Sequence, residues 1–119
     1  MQQQPEMIVD PNGAKFWYLN GKRHREGGPA VEQPNGKNFW YLNDKLHREG
    51  GPAIEYPNGQ NFWYLHGKLH REGGPAIEWH DGKKDWFLNG KEYSLEDYIA
   101  ELERRGLKEV AVDCLFQME

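Results

Sequence analysis

The sequence predicts a mainly β fold, a single-layer antiparallel β-meander of four 23-residue repeats with a C-terminal capping helix. One unit recurs in nearly the same letters from Pro11, Pro34 and Pro57, and in degraded form from His80. A fixed period of this length is typical of arrays whose units stack on their neighbours. Each unit contains several glycine and proline turn signals, which leave no stretch of helical length. The first three units also contain the run Phe-Trp-Tyr-Leu, whose residues favour strands.

The predicted organisation has three parts. Residues 1–6 form a frayed N-terminal tail, residues 7–93 form the repeat array, and residues 94–119 form the C-terminal cap. Within the array the repeats span 11–33, 34–56, 57–79 and 80–93. The first ten residues lack the basic and apolar regions of a secretory signal, and no apolar run approaches transmembrane length. We therefore expect no membrane association.

Asn-Gly-like pairs flank each Phe-Trp-Tyr-Leu run and predict two-residue hairpin loops, which fix the strand register. Loops at Asn43-Asp44 and Asn35-Gly36 predict these pairs: Leu42 with Lys45, Tyr41 with Leu46, Val31 with Trp40, and Glu32 with Phe39. One face of the sheet then carries tryptophan and histidine, and the other carries phenylalanine, tyrosine and arginine. Whether each repeat has two bent strands or three short ones stays open.

The C-terminal cap begins with a helix predicted over residues 94–105. Ser94 and Asp97 have the spacing of a capping box. Leu95, Tyr98, Ile99 and Leu102 then form one apolar stripe, and Gly106 ends the helix. The alternating segment 110–116 is predicted as a last strand.

Charge and cysteine content narrow the function classes. Fifteen basic and 19 acidic residues give a net charge of −4, with the two signs interspersed. This balance argues against non-specific nucleic-acid binding and against an anionic membrane surface, since both need a basic patch. The single Cys114 has no disulfide partner within the chain, which favours a reducing, cytoplasmic setting.

Aromatic residues on both faces predict a binding surface, because a single-layer sheet must cover one face or share it. Aromatic and arginine residues also dominate interface hot spots. The predicted partner is a protein, with a homodimer as one form of it. The predicted partner-binding residues are Phe16, Tyr18, Arg25, Phe39, Tyr41, Arg48, Phe62, Tyr64 and Arg71.

The His-Arg-Glu-Gly-Gly loops give an alternative function, sequestration of a nucleotide or small anion. Consecutive glycine amides form anion-binding nests, and arginine offers a planar fork. The candidate residues are His24, His47, His70, Gly50, Gly51, Gly73 and Gly74. A structural interpretation stays open beside it, in which the arginines pair with glutamates and the glycines only make the turn.

Metal binding and catalysis have less support. If each repeat adds at least two strands, equivalent histidines lie ~9.6 Å or more apart, too far to share one zinc ion. If the fold were instead a coil in which each repeat forms one rung, the histidines would lie one strand apart and this argument would not apply. The repeat body contains no serine, threonine or cysteine, so no nucleophile recurs beside the histidines. We therefore expect no metal, no cofactor and no enzymatic activity.

The phrases Asn20-Gly21-Lys22-Arg23-His24, Lys45-Leu46-His47 and Pro57-Asn58-Gly59 resemble the MORN repeat family and its divergent bacterial, phage and giant-virus relatives. The resemblance covers roughly 11–93. It departs from the family in having Phe-Trp-Tyr-Leu where the family has Tyr-x-Gly. It implies repeated β-hairpins with a scaffolding or dimerising role. The phage relatives further imply an inhibitor of a bacterial defence system, located in the host cytoplasm if the protein is viral. The family's lipid binding transfers poorly to this acidic chain.

Overall fold

The structure, a computed structural model, describes the backbone of residues 3–117 and the side chains of residues 3–115. It consists mainly of antiparallel β-strands followed by two short helices, which confirms the predicted fold class. The elements of this part of the chain are β1 (Glu6–Val9), β2 (Lys15–Leu19), β3 (Lys22–Arg23), β4 (Val31–Glu32), β5 (Asn38–Phe39), β6 (Tyr41–Leu42), β7 (Lys45–Leu46), β8 (Ile54–Glu55), β9 (Asn61–Phe62), β10 (Tyr64–Leu65), β11 (Lys68–Leu69), β12 (Ile77–Glu78), β13 (Lys84–Leu88), β14 (Lys91–Tyr93), α1 (Leu95–Arg104) and α2 (Lys108–Gln117).

A ten-stranded sheet runs through all repeats in the order β1-β2-β4-β5-β8-β9-β12-β13-β14, with β3 beside β2. The pairs β6–β7 and β10–β11 form two separate hairpins. Each inner repeat therefore contributes four short strands, two to the large sheet and two to a hairpin.

The Phe-Trp-Tyr-Leu run bends at its tryptophan in both inner repeats. Up to Phe39 the chain pairs with β8, and the N–H of Trp40 then donates to the carbonyl of Ala53 at 2.7 Å. Beyond Trp40 the chain pairs with β7 instead. Trp63 and Ala76 repeat this contact at 2.7 Å. One aromatic run therefore supplies a strand to the large sheet and a strand to a hairpin.

The hairpins of successive repeats are also joined to one another. The N–H of Arg48 donates to the carbonyl of Tyr64 at 3.1 Å, and that of Gly67 donates to Leu46 at 2.8 Å. Equivalent bonds join the hairpins before and after this pair. The hairpins therefore form a second hydrogen-bonded column beside the large sheet.

One predicted turn is confirmed and the other is wrong by one residue. Asn43 and Asp44 have φ of 51° and 65° and form the two-residue loop that was predicted. The other loop contains three residues, Pro34 to Gly36, closed by a bond from Gln33 N–H to the Lys37 carbonyl at 2.9 Å. Proline has no N–H for a ladder bond and therefore belongs to the turn, and Gly36 adopts φ 92°.

This extra loop residue changes the predicted faces. Val31 pairs with Phe39, and Glu32 pairs with Asn38. Since paired residues project from the same side of a sheet, Val31 shares a face with Phe39 and not with Trp40.

The C-terminal cap consists of two helices. The side chain of Ser94 accepts a hydrogen bond from Asp97 N–H at 3.1 Å, which confirms the predicted helix start. The predicted strand at 110–116 is wrong, because this segment belongs to α2. Ala111 and Cys114 are 0% and 1% exposed, and their three-residue spacing places both on the side of α2 that joins the core. The predicted tail also ends earlier, since β1 begins at Glu6, and residues 1–2 lie outside the described part.

The best-buried cluster lies where the cap meets the last repeat. It contains Trp86 and Leu88 from β13 together with Tyr98, Leu102 and Cys114 from the helices. The cap thus covers the end of the array. Within residues 3–117, no helix has the length and apolar character needed to span a bilayer.

Candidate protein-binding groove

Five side chains recur along one side of the array and line a series of depressions. We call this side the tryptophan groove. It is defined by Trp17, Leu19, His24, Arg25 and Glu26 and by their equivalents, which are Trp40, Leu42, His47, Arg48 and Glu49, then Trp63, Leu65, His70, Arg71 and Glu72. The three depressions have volumes of about 430, 410 and 400 Å³.

Neighbouring depressions share walls. Arg25 and Glu26 line both the first and the second, and Arg48 and Glu49 line both the second and the third. The segment Gln3 to Pro5 takes the corresponding place on the outer side of the first. The depressions therefore form one continuous groove with a repeated chemical surface.

Each groove arginine lies over the ring of its tryptophan. The Cζ atom of Arg48 is 3.8 Å from the ring centroid of Trp40, a cation–π contact. Its Nη1 donates to the carbonyl of Pro52 at 3.1 Å and lies 3.4 Å from Glu55 Oε1. Arg25 and Arg71 stack at the same distance of 3.8 Å and pair with Glu32 and Glu78. The positive charges are thus already partnered within the repeat.

The second glycine of each loop makes space for this arginine. A Cβ atom on Gly51 would lie 2.7 Å from Cζ of Arg48, and Gly28 and Gly74 face Arg25 and Arg71 in the same way. These contacts agree with the structural interpretation of the His-Arg-Glu-Gly-Gly loops. Each arginine pairs with a glutamate of its own repeat and fills the space beside the second glycine.

Each groove histidine fixes the hairpin of the following repeat. Nδ1 of His24 accepts from Asn43 N–H at 3.0 Å, and Nδ1 of His47 and of His70 accept from His66 and Asn89 N–H, both at 2.9 Å. This bond assigns the proton of the neutral ring to Nε2. Burial lowers the pKa of His47 and of His70, and for His47 the neighbouring His66 lowers it further.

The rim of the groove is acidic. The side chains of Glu26 and Glu49 are 82% and 85% exposed, and each has one oxygen 3.9 to 4.0 Å from Nε2 of the preceding histidine. Glu72 is the exposed equivalent in the third repeat. The groove therefore combines an aromatic and leucine floor with a line of exposed carboxylates.

The predicted Phe/Tyr/Arg surface is divided between the two faces. Arg25, Arg48 and Arg71 lie on the tryptophan side, contrary to the prediction. The predicted face followed from extending the Asn43-Asp44 hairpin to a pair of Phe39 with Arg48, but that hairpin ends at Trp40 and His47, and the N–H of Arg48 donates to the carbonyl of Tyr64 instead. The aromatic members stay together opposite the groove. We call that side the Phe/Tyr face, defined by Phe16, Tyr18, Phe39, Tyr41, Phe62 and Tyr64.

The Phe/Tyr face is packed within itself. Phe16 stacks with Tyr18 at 6.2 Å, and Phe62 lies 5.8 Å from both Tyr56 and Trp79. Its six defining residues are all half-buried. At the N-terminal edge, Ile8, Phe16 and Tyr18 line a wider depression of about 820 Å³.

Sequence reasoning missed the tryptophan, leucine and rim glutamate positions of the groove. Their signal was present, since Trp and Leu stand two residues apart in every repeat and so project from one side of a strand. The prediction placed tryptophan and histidine on one face but took the opposite face as the binding surface. Among residues 3–117, no group of three or more histidine, cysteine, aspartate or glutamate side chains is arranged to hold a metal ion.

Comparison with family models, with curated proteins and with solved structures finds no match to this chain. The resemblance to MORN repeats therefore stays a prediction.

Proposed function

We propose that this chain is a non-enzymatic repeat module that binds a segment of a partner protein along the tryptophan groove. The observation that carries the proposal is the row of three contiguous depressions with equivalent linings. Concave, partly apolar sites with a few polar groups are the usual form of binding sites. Tryptophan and arginine are also the residues that contribute most to protein interfaces.

A peptide selection tests the proposal and does not require the partner to be identified first. A displayed library is selected on the full chain, and the enriched peptides are measured against two double variants. Leu42→Arg/Leu65→Arg obstructs the groove. Leu46→Arg/Leu69→Arg changes the opposite face of the same hairpins, where Arg23 naturally occupies the equivalent position.

We expect the groove variant to lose about tenfold or more in affinity, the effect of removing one interface hot spot. The control variant should retain wild-type affinity, and circular dichroism checks that both variants fold. Enriched peptides that respond only to the control variant, or no enrichment at all, would contradict the groove assignment.

Dimerisation is a second candidate, supported by strand β1. This strand forms one edge of the large sheet, and Met7, Ile8 and Val9 are 50%, 51% and 53% exposed. An exposed apolar edge strand is a template for pairing with another chain. Measurement of the solution mass should give a dimer for the wild type and a monomer for Ile8→Lys. A monomeric wild type would remove this candidate.

The resemblance to phage relatives adds a proposed class of partner, a protein of a bacterial defence system. Co-expression in defended bacteria followed by phage plating tests it. The wild type and the Leu46→Arg/Leu69→Arg variant should both restore plating, whereas the groove variant should not. Anion sequestration by the His-Arg-Glu-Gly-Gly loops also stays a prediction, and a nucleotide screen without a shift in melting temperature would remove it.

A further inference from the structure

The fourth repeat shows what the groove accepts. Its groove positions are Trp86 and Leu88, which are 6% and 1% exposed because α1 covers them. The ring of Tyr98 lies on Trp86, with centroids 5.0 Å apart, and is fully buried. The Tyr98 hydroxyl donates to the carbonyl of Arg71 and contacts that of Gly74 at 3.1 Å. A tyrosine on a helix thus occupies the last groove position within the same chain.

The groups that hold Tyr98 recur in the preceding repeats. Twenty-three residues earlier, the equivalents of Trp86, Leu88, Arg71 and Gly74 are Trp63, Leu65, Arg48 and Gly51, and another 23 residues earlier they are Trp40, Leu42, Arg25 and Gly28. Members of these sets line the depressions of about 400 and 410 Å³. The described part of the chain therefore repeats these four groups twice without a helix over them.

The fourth repeat differs from the others at several positions, and one of them concerns the ring of Trp86 directly. Ser94 stands where Arg25, Arg48 and Arg71 stand, so no arginine covers Trp86. In the second repeat Arg48 covers Trp40, yet the depression of about 410 Å³ stays open between Arg48 and the loop from Arg25 to Gly27. The residues that line this open part include Trp40, Leu42 and Gly27.

We propose that the depressions over Trp40 and Trp63 each bind a tyrosine side chain carried on an amphipathic helix of the partner protein. The hydroxyl donates to the carbonyls of Arg25 and Gly28, or of Arg48 and Gly51, as Tyr98 does one repeat later. This inference rests on the proposed function and names its partner class.

Helix α1 also indicates what accompanies the tyrosine. It buries Tyr98 together with Ile99 and Leu102, so the matching partner helix carries tyrosine followed by apolar residues one and four positions later. The exposed rim carboxylates of Glu26 and Glu49 favour lysine or arginine beside that stripe. The partner is therefore a basic helix with a tyrosine anchor.

A small phenol tests the anchor directly. The full chain, labelled with ¹⁵N, is titrated with p-cresol and separately with 4-methylanisole, which has a similar ring but no hydroxyl proton. We expect p-cresol to shift the indole N–H signals of Trp40 and Trp63 and to bind about threefold or more tightly than 4-methylanisole, the effect of one net hydrogen bond. Equal affinities, shifts confined to other residues, or no shift would overturn the proposal.

A constrained helical peptide separates this proposal from the proposed function. It has the sequence of residues 94–105 with Glu96→Lys and Glu103→Lys, which keeps Tyr98, Ile99 and Leu102 and makes the net charge positive. The peptide should bind the wild type, lose affinity when its tyrosine is replaced by phenylalanine, and not bind the Leu42→Arg/Leu65→Arg variant. One outcome is that the peptide and p-cresol both fail to bind while selected peptides without tyrosine still need the groove. That result would contradict the tyrosine anchor and leave the proposed binding function supported. If no ligand requires the groove for binding, both the tyrosine anchor and the proposed function are contradicted.

Discussion

At the scale of single residues, the arginine of each His-Arg-Glu-Gly-Gly-Pro loop holds the loop to the sheet. Arg48 contacts the Trp40 ring, the Pro52 carbonyl and the Glu55 carboxylate. Its guanidinium fits only because residue 51 has no side chain. The recurring loop sequence is thus explained by one packed arrangement.

Gly51→Ala should therefore destabilise the protein by about 1–2 kcal/mol, the usual cost of overpacking. The new methyl group displaces Arg48 from Trp40. Chemical denaturation measures the loss, and combining the change with Arg48→Ala should remove most of it. Gly73→Ala is the matched control, since Gly73 has open space around its Cβ position and no positive φ. An equal loss in both alanine variants would contradict the arginine contact.

The groove histidines predict a pH dependence of stability. The folded-state pKa values of His47 and His70 lie below the ordinary value of 6.5 because of burial. In the unfolded chain these two histidines become protonated near pH 6.5, whereas in the folded protein they are protonated only at lower pH. The contribution of the two histidines to the free energy of unfolding should therefore be complete above pH 6.5 and decrease as the pH drops below it.

Denaturation curves on both sides of pH 6.5 measure this effect. His47→Gln should flatten the decline, and the same change at the exposed His80 serves as the control. A free energy of unfolding that rises on acidification would contradict the neutral state of the buried imidazoles.

At the scale of elements, local sequence patterns predicted the type of each turn and helix start better than they predicted the pairing register of the strands. The Asn43-Asp44 loop and the start of α1 at Ser94 followed from local rules, since each depends on a few adjacent residues. The Pro34–Gly36 loop contains one residue more than predicted, and that single residue moved Val31 to another partner. Helix α2 was missed because its buried positions are set by contact with α1 and β13, which the local alternation does not encode.

The cap helix depends on the hydroxyl of Tyr98. Tyr98→Phe should lower the free energy of unfolding by about 1–2 kcal/mol, because the carbonyls of Arg71 and Gly74 lose a buried donor. Tyr93→Phe is the matched control, since Tyr93 packs against the same core and no hydrogen bond from its hydroxyl is seen among residues 3–117. Thermal or chemical unfolding compares the two, and equal losses would contradict the role of the hydroxyl.

At the scale of the whole molecule, each repeat contacts mainly its neighbours. Deletion of residues 34–56 removes one complete repeat and joins equivalent positions, so a shorter protein should still fold cooperatively. Its denaturant m-value should be smaller, because less surface is exposed on unfolding.

Deletion of residues 95–117 removes the same number of residues but should abolish cooperative folding, since Trp86 and Leu88 lose their cover. Denaturation of the two deletion variants compares these outcomes. Loss of folding in the first variant, or full stability in the second, would contradict a repeat array closed by its cap.

The binding surface was only partly predictable at this scale. The sequence indicated an aromatic and arginine surface, but its side of the sheet depended on the register of every turn and on the bend at Trp40. The groove itself requires adjacent repeats, because the walls of each depression come from two of them.

The most direct test of the account is chemical-shift mapping of the ¹⁵N-labelled chain with the tightest peptide from the selection. A partner segment bound in the tryptophan groove should perturb the signals of Trp40, Leu42, Trp63 and Leu65. Perturbation confined to Phe39, Tyr41, Phe62 and Tyr64 would place the partner on the Phe/Tyr face and contradict the central claim.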